Sequence, residues 1–232
     1  DQAMTGRILK IANSAMYSCS RRIKTLSEAI VMLGFNSIRS LVVTSAARNL
    51  YNTRKSRTGL KERLLWEHSI GCAIACRLLA AERIPGLAEE AFLAGLMHDI
   101  GKLAVPEHIL TKPGRLTPAE FDYIRLHPTV GANILKAVPF PYPVAPFIQS
   151  HHERWDGKGY PDGLAAEEIP LGARVLAVVD YFDALTAHRP YHRAMAQDEA
   201  LDTLTREAGK ALDPRLVDLF IQVLLQVGDL EQ

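Results

Sequence analysis

The sequence predicts an all-α protein, one compact helical domain preceded by a smaller helical region. Three observations carry this. Apolar residues recur at helical spacing along nearly the whole chain. Alternating strand patterns and tandem repeats are absent from the sequence. Helix punctuation falls between the periodic stretches, at Gly34, at Thr117-Pro118-Ala119-Glu120 and at Asp213-Pro214.

In chain order, Ile8, Leu9, Ile11 and Ala12 follow helical spacing until Asn13-Ser14 breaks it. Leu26 to Leu33 reads as a short helix stopped by Gly34, and Asn36 or Ser37 caps another to about Leu50. The polar, basic stretch 52–60 reads as a linker, separating a region 1–55 from a domain 61–232. Helices are expected from about Lys61 to Arg83 and from about Leu87 to Ile100. The capping box at Thr117, with Pro118 at the first helical position, opens one to about Val138. Pro139, Pro141, Pro143 and Pro146 then break the chain as a rigid connector, before a helix ending near His152. A Gly-rich loop spans Trp155 to Leu164, Pro170 opens a helix to about Ala187, and Asp198–Gly209 and the stretch after Asp213 supply the last two. The entry into a helix within a few residues of Asp1 reads as a chain with sequence missing upstream.

Composition bounds the class. The 232 residues are 48% hydrophobic and 23% charged, which excludes a disordered or collagen-like chain. No apolar run approaches the roughly 20 residues of a bilayer span, so no membrane partner is expected. Three cysteines (Cys19, Cys72, Cys76) make no disulfide framework and point to a reducing, cytoplasmic setting. Cys72 and Cys76, four apart, read as packed core thiols, and Trp66 as core. The net charge of +1 hides an asymmetry: residues 1–60 carry ten Lys/Arg and two Asp/Glu (+8), and 61–232 carry seventeen and twenty-four (−7). The basic residues are scattered and outside any recognised motif, which argues against a nucleic-acid partner.

The chemistry is carried by histidines and two carboxylates. His68, His98, His127 and the pair His151-His152 lie near apolar runs, while His108, His188 and His192 read as exposed. Asp180 interrupts the apolar stretch Val175–Leu185, and a carboxylate there is expensive to bury unless paired or metal-bound. His98-Asp99 closes a helix whose positions 92, 93, 96 and 100 are apolar. Vicinal side chains point about 100° apart, so this pair suits two adjacent ions bridged by the carboxylate better than one chelated ion. Imidazole with carboxylate suits Fe, Mn or Zn, and two such ions about 3.5–4 Å apart form a clamp for phosphate-ester hydrolysis. Lys102 stands within reach of a phosphate oxygen.

Gly95-Leu-Met-His-Asp-Ile-Gly-Lys102 resembles the signature of the HD superfamily of metal-dependent phosphohydrolases. His151-His-Glu-Arg-Trp-Asp-Gly-Lys-Gly-Tyr-Pro-Asp-Gly-Leu164 resembles the hallmark of its HD-GYP subfamily, and Asp180-Tyr-Phe-Asp-Ala-Leu-Thr186 with Arg189-Pro190-Tyr191 resembles the next block. Residues 5–50, through Ile8-Leu-Lys-Ile-Ala-Asn-Ser-Ala15, Thr25-Leu-Ser-Glu-Ala-Ile30 and Met32-Leu-Gly34, resemble part of the HDOD signalling domain. The resemblance implies a cyclic di-GMP phosphodiesterase using a metal-activated hydroxide at a binuclear centre, most readily Fe or Mn, to give pGpG or GMP in bacterial signalling. It implies that His68, His98, Asp99 and Asp180 hold one metal and that Asp99, His127, His151 and His152 hold the other. It further implies that Lys102 and Arg189 grip phosphate, with Asp99 and Lys102 as the catalytic pair, and that Gly159, Tyr160 and Pro161 shape the loop beside the substrate.

Two positions depart from the subfamily pattern. Leu64 stands where some members carry a third metal's Glu, so two ions are expected. His192 stands where a basic residue often follows the Arg-Pro-Tyr block, which bears on phosphate affinity. Trp155 has two readings, stacking on a guanine or pinning its loop. The alternatives are a phosphodiesterase for another cyclic nucleotide, and a non-catalytic module that binds signalling proteins such as sensor kinases or diguanylate cyclases. A homodimer is open in each.

Overall fold

The computed structural model describes residues 2–13, 22–51, 60–137, 140, 142–187 and 194–229. It is helical throughout, and among the described residues the β structure is one isolated bridge, Ala208–Leu212. The chain divides into two compact units, 1–67 and 68–232. The expected linker, 52–60, lies outside the described residues except for Leu60 at the start of a helix.

In the first unit α1 (Gln2–Ala12) packs on α2 (Leu26–Tyr51). Their shared core is Ile8, Ala12, Ile23, Ala29, Ile38 and Leu41. Asn13 ties the two together. Its amide donates to the Leu9 and Ile23 carbonyls at 2.7 and 2.8 Å, and its oxygen accepts from the Ile23 N–H at 2.7 Å. Thr25 caps α2, accepting from the Glu28 N–H while Glu28 accepts from the N–H groups of Lys24 and Thr25. Gly34 takes φ 79°, the left-handed region open to glycine, and the limbs 26–35 and 37–45 meet at 112°. The stop expected at Gly34 is therefore a sharp bend between two helical limbs.

The second unit holds the rest of α3 (Leu60–Arg83), then α4 (Ala88–Met97), α5 (Glu107–Leu110), α6 (Pro118–Arg125), α7 (His127–Lys136), α8 (Val144–Gln149), α9 (Leu171–Thr186), α10 (Gln197–Glu207) and α11 (Pro214–Asp229). Its centre is α4, where Phe92, Leu93 and Leu96 are buried, each such side chain contributing roughly 1.5–3 kcal/mol. A Cβ at Gly95 would sit 2.8 Å from the backbone of Cys72 and Ala73, so glycine lets α4 lie directly on α3. At Gly101 a Cβ would sit 1.9 Å from the His127 carbonyl, which packs the turn after α4 against the start of α7.

Three element boundaries differ from expectation. The helix opened by the Thr117 capping box ends at Arg125 and restarts at His127. Pro128 in the first turn of α7 has no N–H to continue the α6 ladder. The helix expected to reach Ile100 ends at Met97, and a short 3-10 turn, Ile100–Ala104, follows. The helix expected to end near His152 stops at Gln149, leaving His151 and His152 in a turn. All three differences place a histidine at or just beyond a helix boundary. Among the described residues no single helix is long and apolar enough to cross a membrane.

Candidate metal centre

The second unit brings His68, His98, Asp99, His127, His151, His152 and Asp180 into one pocket. His68 comes from α3, His98 and Asp99 from the turn after α4, and His127 from the first residue of α7. His151 and His152 come from the turn after α8, and Asp180 from α9. His98, Asp99, His127 and His151 are buried to within 2% of full enclosure.

The ring orientations follow a rule. His98, His127 and His151 each donate Nδ1–H to the carbonyl three residues earlier: Gly95 at 2.8 Å, Ile124 at 2.7 Å and Ile148 at 2.7 Å. A carbonyl only accepts, so the proton is on Nδ1 and the Nε2 lone pair faces the pocket. His68 does the same through a side chain, with Nδ1 2.5 Å from Asp183 Oδ2. As a result Nε2 of His127 stands 3.4 Å from Nε2 of His151, with no proton between them to share. Nε2 of His68 stands 3.1 Å from Nε2 of His98. Ring nitrogens facing one another at these distances are the arrangement of ligands around a cation.

Two ligand groups result. His68, Cys72, His98 and Asp180 offer ligand atoms within 4.8 Å of one another, and so do His127, His151 and His152. Asp99 lies between the groups. Its Oδ1 is 3.6 Å from Nε2 of both His98 and His127, and its Oδ2 is 3.7 Å from Nε2 of His68. Oδ1 is buried and has no hydrogen-bond partner, an arrangement that costs several kcal/mol in the absence of a cation. This orphaned oxygen and the inward Nε2 atoms fit a divalent-cation site. Neutral imidazole with carboxylate suits Fe, Mn or Zn.

The protonation pattern agrees. Burial pushes His98, His127 and His151 below the ordinary imidazole range, His127 to about 3, and it pushes His152 to about 4. These rings are neutral at pH 7. Burial opposes the charge of Asp99, yet the Lys102 ammonium and the surrounding imidazoles hold its carboxyl below the usual range. Asp180 is likewise held low, chiefly by its hydrogen bond to His68, against burial. His68 goes the other way. Burial opposes its charge, but Asp180 and Asp183 outweigh it and raise the ring to about 12. Burial raises the Cys72 thiol to about 11.

Lys102, on the 3-10 turn after Asp99, places Nζ 2.7 Å from Asp99 Oδ2 and is a quarter exposed. The loop beside the pocket is held by close approach. A Cβ at Gly159 would sit 2.4–2.6 Å from backbone atoms of Arg154, Glu153 and His152, and the Tyr160 N–H donates to the His152 carbonyl at 3.2 Å. Tyr160, joined to Pro161 by a cis peptide, lays its ring on His152 at 5.0 Å. Arg125 covers Tyr160 at 4.8 Å. Trp155 pins its loop: it lies between the guanidinium groups of Arg174 and Arg215, with its backbone bonded to Ala211 and Ala166. Arg189 and His192 lie outside the described residues, as does the side chain of Leu64.

Three residues were missed. Asp183 lies three after Asp180 on α9, and Cys72 four after His68 on α3; both spacings signal a shared helix face. Glu153 is buried, and its Oε1 accepts from the N–H groups of Asp162 and Gly163 at 2.6 and 3.0 Å. Only its neighbours in the loop motif hinted at that role.

A helical unit that gathers inward-facing imidazoles around one buried carboxylate has the donor set of a metal site. The HD domain family model matches residues 48–216, and the chain belongs to that family. It is 44% identical over 150 residues to the cyclic di-GMP phosphodiesterase response regulator RpfG of Xanthomonas campestris pv. campestris, across 62% of this chain and 39% of that one. It is 38% identical over 167 residues to 3'3'-cGAMP-specific phosphodiesterase 1 of Vibrio cholerae, across 70% and 38%. Its fold resembles that of Bd1817, an HDG"Y"P protein from Bdellovibrio bacteriovorus, with a TM-score of 0.62 at 17% identity over 94% and 77% of the chains. The chain spans about two fifths of the length of these two curated relatives.

Proposed function

We propose that the chain is a metal-dependent phosphodiesterase that opens cyclic di-GMP to pGpG or GMP in bacterial signal transduction. The observation that carries this is Asp99, whose buried, unpaired Oδ1 lies between two groups of imidazoles. His68, His98 and Asp180 would hold one divalent ion and His127, His151 and His152 the other, with Asp99 shared and iron or manganese the metals expected. Such a pair supplies Lewis acidity to phosphoryl oxygens and acidifies a water nucleophile.

The chain's own residues do the rest. The backbone carbonyls behind His98, His127 and His151 keep their Nε2 atoms turned inward. Lys102, at the edge of the pocket, leaves Asp99 for a phosphate oxygen when substrate enters. The Tyr160 ring, covered by Arg125, closes the His152 side. Arg189 supplies a second phosphate contact. The basic N-terminal region is an HDOD-like docking element, able to meet signalling proteins such as kinases or diguanylate cyclases, or a second copy of the chain. The unpaired thiols of Cys72 and Cys76 suit a cytoplasmic setting.

A second substrate has support in the 3'3'-cGAMP-specific relative. The deciding experiment incubates metal-reconstituted protein with cyclic di-GMP, 3'3'-cGAMP and cyclic di-AMP and separates the products by chromatography. Fastest turnover of cyclic di-GMP is expected. Preference for another dinucleotide reassigns the substrate, and hydrolysis of none by the metal-loaded protein refutes the enzyme reading.

A further inference from the structure

The two ligand groups differ in the charge that backs them. Two carboxylates face His68: Asp180 Oδ1 lies 3.3 Å from Nε2, and Asp183 Oδ2 lies 2.5 Å from Nδ1. At the other group, the carboxylate within 4 Å among the described residues is Asp99, which both groups share. The partners of Nδ1 differ in the same sense. His98, His127 and His151 donate to neutral backbone carbonyls, whereas His68 donates to the side chain of Asp183. An anionic acceptor transfers negative charge to the ring and makes Nε2 a stronger donor to a cation. Asp183 follows Asp180 by three residues on α9, so one helix face delivers both the expected ligand and the group behind its neighbour.

We propose that Asp183 is a positioning residue for His68 and that, with Asp180, it makes this end of the centre the tight one. A divalent cation fills the His68–His98–Asp180 end first and the His127–His151–His152 end only at higher concentration. The inference rests on the two-ion reading given above. Its functional consequence is a metal-limited state with one ion bound, so that the affinity of the neutral imidazole end sets the free metal concentration at which a two-ion reaction begins.

The test is a Mn2+ titration of the chelator-stripped full chain, with free Mn2+ read by electron paramagnetic resonance and binding heat by calorimetry. Two classes of one ion each are expected, separated by about tenfold or more in Kd. Asp183→Asn weakens the tight class by about 10- to 100-fold and leaves the weak class unchanged. His151→Ala tests the order from the other end: it removes the weak class and leaves the tight one. Two ions of equal affinity in the wild-type chain overturn the proposal, as does an Asp183→Asn loss confined to the weak class. Both results leave the two-ion centre standing. A wild-type chain that takes up no Mn2+ overturns the two-ion reading and this inference with it.

Discussion

The two ends of the centre are held by different means. At the His127–His151–His152 end, backbone carbonyls at i−3 fix the rings of His127 and His151, and burial keeps the group neutral. At the His68 end the Gly95 carbonyl holds His98 in the same way, but the His68 ring is fixed by a side chain from another helix and faces two carboxylates. The first device is local: a histidine in or next to a turn finds its acceptor within its own sequence. The second requires α3 and α9 to arrive together. A local device survives small shifts of the helices, whereas the His68–Asp183 contact registers them.

Asp99 joins both ends, so its loss has the largest effect. On the proposed two-ion reading, Asp99→Ala is expected to lower turnover of cyclic di-GMP by about 10³-fold or more, since it would remove the shared ligand from a centre whose Lewis acidity would supply several kcal/mol. Circular dichroism should show the chain still folded, and elemental analysis should find fewer than two metals per chain. Undiminished turnover would contradict the shared role.

Gly159 acts on one end only. Its missing Cβ leaves space that backbone atoms of His152, Glu153 and Arg154 already occupy, and none of these is the tip of a flexible side chain. Gly159→Ala should therefore displace the loop from His152, destabilise the chain by about 1–3 kcal/mol and raise KM for cyclic di-GMP more than it lowers kcat. Denaturant midpoints and steady-state kinetics measure both. A variant of wild-type stability and KM would show that the loop does not bear on this end.

The same contrast explains what the sequence made legible. All seven expected ligands meet in one cluster, His68, His127 and Asp180 from helices and the rest from turns that the helix pattern did not foretell. Asp180 was legible as a charge out of place in an apolar helix. Asp183 was not, because its partner is 115 residues away on α3 and helix periodicity says nothing about which helices meet. The break between α6 and α7 was written in Pro128, but the strong capping box at Thr117 favoured one long helix. The two readings of Trp155 were undecidable without Arg174 and Arg215, which reach it from α9 and α11.

The smallest expected effect separates the ends by sign. At the neutral end the unfolded chain has imidazoles near 6.5, while the folded chain holds His127 at about 3 and His152 at about 4. Between those values and 6.5 the unfolded state binds more protons, so folding stability falls as the pH falls. For His127 alone, acidification from pH 7 to pH 5 costs about 2 kcal/mol. His68 behaves oppositely. Its raised value makes the folded state the better proton acceptor, and that stability is fully present below 6.5 and lost only as the pH rises toward about 12. The depressed carboxyls of Asp99 and Asp180 add losses only below the ordinary carboxylate range. Chelator-stripped protein should therefore show a urea midpoint that drops between pH 7 and pH 5. His127→Gln, which removes one titrating ring from the neutral end, should flatten the drop, whereas Asp183→Asn should leave its slope in that window unchanged. A slope that responded to Asp183 and not to His127 would place the acid-sensitive groups at the wrong end of the centre.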